Sequence, residues 1–253
     1  MPRRPPIPTL IAHRGWPRRY PENTLIGAAA ALAAGAQFIE VDVQLSADGV
    51  PVLYHDAELL RVSGREGRIH DLPLTAVREL EAWEPARFGE RFRGTRIPTL
   101  AAFTELLLRY PDARAFVEIK ADSLAHFDAD RVAGAVLAAL KFGRTQVIPI
   151  SFAPEVLARV RVRSQFPVGW VLPAWNENTE QVARALAPEY LFCAARRLPL
   201  LKRRVWQGGW TWTAYVANTP AAALKLAARG MALVETDDIG AMLKSPKLRR
   251  RDD

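Results

Sequence analysis

The chain has 253 residues, a net charge of +8 and one cysteine, Cys193. A single cysteine excludes an internal disulfide framework and a cysteine-rich metal centre, and ordinary apolar and charged shares exclude a disordered chain. Part of the basic excess lies near the ends, in Arg3, Arg4, Lys247, Arg249, Arg250 and Arg251; it reads as two solvated tails, without the aromatic-interleaved basic tract that nucleic-acid binding uses.

The N-terminal run Met1–Thr9 mixes proline and arginine, with no long apolar stretch behind it. The expectation is a cytoplasmic protein with no stable membrane insertion. Its oligomeric state is left open. In chain order, Thr9–Ala12 reads as a strand and Asn23–Ala34 as a helix rich in alanine and leucine. Gln37–Val43 and Pro51–Tyr54 are strands joined through a turn at Asp48-Gly49. Residues 55–97 hold little strand pattern and read as a small excursion with one helix at Thr75–Ala82. Pro98–Arg109 is a helix opened by proline. Ala115–Ile119, Gln146–Ile150 and Val168–Leu172 are strands, separated by helices Asp128–Lys141 and Pro154–Val162. The alternation continues through Tyr190–Phe192, Leu198–Trp206, Trp210–Val216, Pro220–Arg229, Ala232–Val234 and Ile239–Leu243. Repeated strand-then-helix units close to eight in number predict an α/β fold: a single (β/α)8 TIM barrel over residues 1–253, with the excursion as an insertion after the second strand region.

Four polar clusters each follow an apolar strand directly: His13-Arg14-Gly15, Glu40-Val41-Asp42, His55-Asp56 and Glu118-Ile119-Lys120. In a barrel such positions share the C-terminal rim of the strands, where active sites form. Side chains alternate along a strand, so Glu40 and Asp42 face the barrel axis while Ile39, Val41 and Val43 face the helices. Glu118 and Lys120 share a face in the same way. Three carboxylates aimed at one space repel one another unless a cation lies between them. Oxygen donors suit a hard ion, Mg²⁺ or Ca²⁺, with Glu40, Asp42 and Glu118 as its ligands. His13 and His55 supply two imidazoles able to act as general acid and base near neutrality. Arg14 and Lys120 are placed to hold an anionic group beside the metal; Lys120 paired to Glu118 as a structural ion pair is the competing reading. Metal, cations and imidazoles together describe phosphoryl transfer.

Asn23 and Thr24 fit helix capping as well as an active-site role. The tryptophans Trp170, Trp175, Trp206, Trp210 and Trp212 read as core or pocket wall, His70 and His126 as surface residues, and Cys193 as a small buried apolar side chain.

The ordered set of motifs resembles the glycerophosphodiester phosphodiesterase family: His13-Arg14-Gly15 with Pro21-Glu22-Asn23-Thr24, Ile39-Glu40-Val41-Asp42-Val43, Val52-Leu53-Tyr54-His55-Asp56, Ile97-Pro98-Thr99-Leu100, and Glu118-Ile119-Lys120. The resemblance implies a TIM barrel with a small insertion, Glu40, Asp42 and Glu118 as metal ligands, His13 and His55 as the acid–base pair, and Arg14 and Lys120 on phosphate. It further implies a glycerophosphodiester as small-molecule substrate, attack by its own 2-hydroxyl, a cyclic phosphate, and sn-glycerol 3-phosphate as product. Three departures touch the substrate pocket. Tyr215 stands where the family often has tryptophan near the glycerol, Arg61-Val62-Ser63 replaces R-T-T, and Thr236-Asp237-Asp238-Ile239 replaces T-D-x-P. A lysophospholipase D-type enzyme and a catalytically inactive phosphate-binding barrel are the rival readings.

Overall fold

The computed structural model describes residues 6–140, 146–198 and 205–249. Arg3, Arg4, Arg250, Arg251 and most of the expected helix Leu198–Trp206 lie outside these residues. In order, the elements are β1 (Thr9–Ala12), α1 (Leu25–Ala33), β2 (Phe38–Leu45), β3 (Pro51–Leu53), α2 (Leu60–Ser63), α3 (Leu74–Val77), α4 (Pro85–Phe88), α5 (Leu100–Leu107), β4 (Arg114–Ile119), α6 (Ala129–Ala139), β5 (Val147–Ser151), α7 (Pro154–Arg163), β6 (Gly169–Val171), α8 (Glu177–Leu186), β7 (Tyr190–Ala194), β8 (Thr211–Tyr215), α9 (Pro220–Ala227), β9 (Leu233–Thr236) and α10 (Ile239–Lys244). Among the described residues no helix is long and apolar enough to cross a membrane.

Eight of the strands run parallel, and β1 pairs with both β2 and β9, which closes the sheet into a barrel. Alternation along the strands sorts their side chains into two layers. One set, including Leu10, Ile39, Val41, Val43, Val117 and Val234, packs outward against the helices. The other set, including Ile11, Phe116, Ile148, Ile150, Phe192 and Leu233, fills the barrel. Phe116 is the centre of this filling: it stacks on Phe38 at 5.6 Å and meets Phe192 edge-on at 4.9 Å. The plug matters for what lies above it. Two residues along each strand from Phe38, Phe116 and Leu233 come Glu40, Glu118 and Glu235, facing the same interior.

Pro51–Tyr54, expected as a strand joined to Gln37–Val43 through a turn, forms β3, antiparallel to the far end of β2 with Val43 opposite Leu53, so His55 follows a hairpin strand and not one of the parallel barrel strands. β2 overshoots the barrel rim, the chain reverses at Asp48-Gly49, and β3 brings His55 back over the rim. Residues beyond β3 form their own small core of Val52, Tyr54, Leu59, Val62, Ile69 and Val77. The helix expected at Thr75–Ala82 is only the four residues of α3. The chain then turns so that Glu81 bridges Arg96 and the Ala82 amide donates to the Thr95 carbonyl at 2.7 Å. α8, absent from the sequence reading, is capped by Asn176, whose side chain accepts the Thr179 amide. Its polar opening, Glu177-Asn178-Thr179-Glu180, hides the buried face carrying Thr179 and Ala183. The start of α5 also moves, because Thr99 rather than Pro98 caps it.

Candidate active site

β1 delivers the first pair of residues. Arg14 has φ of 50° and Gly15 φ of 85°. A Cβ at Gly15 would stand 2.9 Å from the backbone carbon of Gly27, so the tight turn after β1 needs glycine there for both reasons. The left-handed turn aims the Arg14 amide at Glu40 Oε2, at 3.0 Å. His13 projects beside it. Its Nδ1 meets Asp237 Oδ1 at 2.8 Å, and its Nε2 lies 4.0 Å from Glu40 Oε2. Asp237 is itself held by Asn218 Nδ2 at 2.7 Å, while Asn218 Oδ1 accepts from the Asp237 amide. A carboxylate on Nδ1 fixes the ring and leaves Nε2 toward the site.

β2 and β4 supply the carboxylates. Glu40, Asp42 and Glu118 each offer one oxygen within 4.8 Å of the others. Glu40 and Asp42 are buried, and Glu40 Oε1 is buried without any hydrogen-bond partner. Asn23, with φ of 54°, is no helix cap: it donates to Asp42 Oδ2 at 2.9 Å and accepts the Asp42 amide at 3.0 Å. Thr24 is the cap, accepting the Gly27 amide. Lys120 Nζ lies 2.7 Å from Glu118 Oε1 and 3.4 Å from Asp42 Oδ1. Arg14 Nε lies 3.1 Å from Asp42 Oδ2. Both cations expected on phosphate thus lie against carboxylates of the cluster.

Burial, then the charges of Asp42, Glu235 and Glu118, push the Glu40 carboxyl well above its ordinary range. Burial alone would do the same to Asp42, but Arg14, Lys120 and the Asn23 hydrogen bond outweigh it and hold Asp42 far below. One carboxyl of the cluster is favoured protonated and another firmly ionised, which is how crowded carboxylates behave without a cation.

On the other side, His55 Nδ1 meets Asp56 Oδ1 at 2.6 Å, and Gln44 Nε2 donates to the His55 carbonyl. Arg61 Nε donates to Asp56 Oδ2 at 2.6 Å, and its Nη1 and Nη2 grip Glu22 at 2.9 and 2.6 Å. Glu22 also receives Arg14 Nη1 at 3.1 Å. Arg61, on α2, therefore ties the His55 side of the site to the Arg14 side. Tyr215, at the end of β8, is half-buried; burial and then the charge of Glu118 push its hydroxyl up to about 12, so it stays a neutral donor. Two clefts flank the cluster: one of about 480 Å³ lined by His13, Arg14, Arg18 and Asp237, one of about 650 Å³ lined by His55, Leu60, Arg61 and Lys120.

All eight residues singled out in the sequence lie around this one rim. Sequence reading missed Asp237 and Asp56 as partners of the histidines, Asn218 and Arg61 as the residues that hold those two carboxylates, and Glu235. The signal for the first was present in the late Thr236-Asp237, but its contact with His13 spans 224 positions and has no local pattern. His70 is corrected: it is buried, its Nδ1 bonds the Leu45 carbonyl at 2.9 Å, and its ring stacks on exposed His126 at 4.4 Å. It fills the gap under the overshooting end of β2. Cys193 is buried as expected, and Trp170 and Trp212 are core.

Comparison with known proteins adds to this geometry. The profile of the glycerophosphoryl diester phosphodiesterase family matches residues 13–241. A glycerophosphodiester phosphodiesterase of Caldanaerobacter subterraneus subsp. tengcongensis is 43% identical over 98 residues, covering 39% of this chain and 40% of that protein. Glycerophosphodiester phosphodiesterase 1 of Rattus norvegicus is 36% identical over 160 residues, covering 61% and 46%. The chain thus matches less than half the length of these relatives. Among solved structures, a phosphodiesterase of Oleispira antarctica in complex with the product sn-glycerol-3-phosphate superimposes with a TM-score of 0.81 at 25% identity, over 94% of this chain and 96% of that one. A glycerophosphodiester phosphodiesterase of Agrobacterium tumefaciens gives 0.74 at 24%, over 94% and 100%, a likeness of fold.

Proposed function

The chain belongs to the glycerophosphoryl diester phosphodiesterase family, and from that premise we propose that it is a metal-dependent hydrolase of glycerophosphodiesters. The observation that carries the reading is the pairing of two imidazoles, each with Nδ1 held by a carboxylate, around a buried cluster in which Glu40 Oε1 has no partner. An orphaned carboxylate oxygen among oxygen-only donors fits a hard divalent cation, Mg²⁺ or Ca²⁺, held by Glu40, Asp42 and Glu118. Bound there, the ion would polarise a phosphoryl oxygen and offset the charge of the cluster.

The protein's own groups would do the rest. Arg14 and Lys120 turn from their carboxylates toward the phosphate oxygens, and Tyr215 donates its neutral hydroxyl to the substrate. The Nε2 of one histidine takes the proton of the glycerol 2-hydroxyl as its oxygen bonds to phosphorus. The Nε2 of the other gives a proton to the alcohol as the phosphorus–oxygen bond to it breaks. Water then opens the cyclic phosphate with the histidines in exchanged roles, releasing sn-glycerol 3-phosphate.

The test is release of glycerol 3-phosphate from glycerophosphocholine and glycerophosphoethanolamine by the pure protein, first with EDTA, then with Mg²⁺ or Ca²⁺ restored. Metal-restored release is expected. Tight binding of the diester without release under any metal would overturn the reading in favour of an inactive binding barrel. Release from lysophosphatidylcholine alone would move the substrate class to lysophospholipids.

A further inference from the structure

Glu235 lies on β9, opposite Ile11 of β1 in the parallel register, and it follows the interior residue Leu233 by two positions. It therefore points into the barrel, and only 3% of it is exposed. β1 separates β9 from β2, so Glu235 enters the interior from across β1, at the level where Glu40 begins the carboxylate cluster. Among the described residues none donates a hydrogen bond to its carboxylate, and its electrostatic neighbours are Glu118, Asp42, Arg14 and, more weakly, Asp237, whose own charge is matched by His13 and Asn218. Glu40 feels it in turn.

A lone buried carboxylate in an apolar plug is costly unless charge of the opposite sign reaches it. Among the described residues the interior holds four carboxylates, Glu40, Asp42, Glu118 and Glu235, against two permanent cations, Arg14 and Lys120. With all four ionised, the state a bound cation favours, two negative charges are left over, the charge of one divalent ion. Without Glu235 the remainder would be one. The unpartnered Glu40 Oε1 marks where that charge is needed, because it is a buried acceptor on the same cluster with nothing to accept from.

We propose that Glu235 is a fourth carboxylate of the cation site, present to strengthen the binding of a hard divalent ion beyond what Glu40, Asp42 and Glu118 achieve together. The inference rests on the reading that those three residues hold such an ion. It gives Glu235 a task toward the ion and none toward the substrate.

The test is calorimetric titration of metal-stripped protein with Mg²⁺ and with Ca²⁺, alongside thermal melting without metal. For Glu235→Gln the expected result is a Kd weaker by about ten-fold or more, with a metal-free melting temperature equal to or above the parent's, since a repelling charge has been removed. Glu235→Met, which keeps the volume without the charge, gives the same weakening if the amide is not tolerated. Glu235→Asp keeps the charge and retains most of the affinity. Glu40→Gln is the control for the three-residue site. If Glu40→Gln abolishes binding while Glu235→Gln and Glu235→Met bind within two-fold of the parent, the inference falls and the site reading stands. If Glu40→Gln itself binds normally, the site reading fails and the inference with it.

Discussion

Replacing Arg61 with alanine tests whether the link across the site is structural, catalytic or both. Arg61 donates to Glu22 and to Asp56, and Asp56 in turn holds His55. The Glu22 side chain is 6% exposed and that of Arg61 43%. Breaking a fully buried pair costs about 3–5 kcal/mol, whereas a solvent-exposed pair is worth about 0–1 kcal/mol. Here one partner is buried, the other is nearly half open, and Arg14 remains on Glu22. A loss of about 2 kcal/mol follows, or a fall in Tm of roughly 4–8 °C for a chain of this size. A double-mutant cycle with Glu22→Gln isolates the pair and should return a coupling of about 1 kcal/mol or more. Loss of the Asp56 tether should lower kcat by about ten-fold or more while KM changes less. The pH dependence carries its own sign. Burial opposes ionisation of Glu22 and Asp56, but Arg61, with Arg14 on Glu22 and His55 on Asp56, outweighs it and holds both below the ordinary carboxylate value. Their contribution is present above about pH 4 and is lost as pH falls below it. The variant should therefore unfold with a shallower acid slope. A coupling under about 0.5 kcal/mol, with kcat unchanged, would falsify the account of Arg61 as a positioning residue.

Asp237→Asn should leave Tm nearly unchanged but reduce kcat by about 10²–10⁴-fold, because an amide on His13 Nδ1 no longer fixes the tautomer that frees Nε2; steady-state kinetics with the diester decides it. Gly15→Ala should destabilise by about 1–3 kcal/mol, since the new Cβ meets the backbone of Gly27 and the φ is left-handed. Gly35→Ala, also left-handed but with nothing within 4 Å of its Cβ, should cost less; equal losses in urea denaturation would refute the steric argument. Burial depresses the pKa of His70, so the neutral ring is favoured by folding. Its contribution holds above about pH 6.5 and is lost as pH falls below that value. His70→Asn keeps a donor for the Leu45 carbonyl and should flatten the fall in Tm between neutral and mildly acid pH.

The parts of the site that were legible in the sequence are those with a local rule. Glu40 and Asp42 alternate with Ile39, Val41 and Val43, and that period alone assigns the charged pair to the interior and the aliphatic residues to the helix layer, where they pack. Residues 55–97 and α8 were less legible because their packing is set from elsewhere. α3 stops at Val77, and the chain then pairs its backbone at Glu81 with that at Arg96, a bridge across an irregular segment. His70 stands among Arg68 and Asp71 and looks like surface, yet the overshoot of β2 places the Leu45 carbonyl over it. Glu235 was missed by one position. The apolar run Ala232–Val234 was read as the whole strand, whereas β9 extends to Thr236 and continues the same alternation inward.

That extra residue changes how the charge of the barrel mouth divides. The outer groups are matched in place: Glu22 with Arg14 and Arg61, Asp56 with Arg61, Asp237 with His13 and Asn218. Each of these pairs fixes a side chain that faces the clefts. The inner carboxylates are not matched in this way. They rise directly from the Phe38–Phe116 plug, with Glu40, Asp42 and Glu235 buried from water; Lys120 is shared between Asp42 and Glu118, and Arg14 between Asp42 and the outer Glu22. Packing drives such a layer only if something offsets its repulsion, because an apolar residue at Glu40 or Glu235 would continue the plug at lower cost. Acidic residues at these depths are therefore an argument about a ligand rather than about stability. Beside its apolar plug the chain keeps an excess of negative charge of the kind a divalent cation would offset.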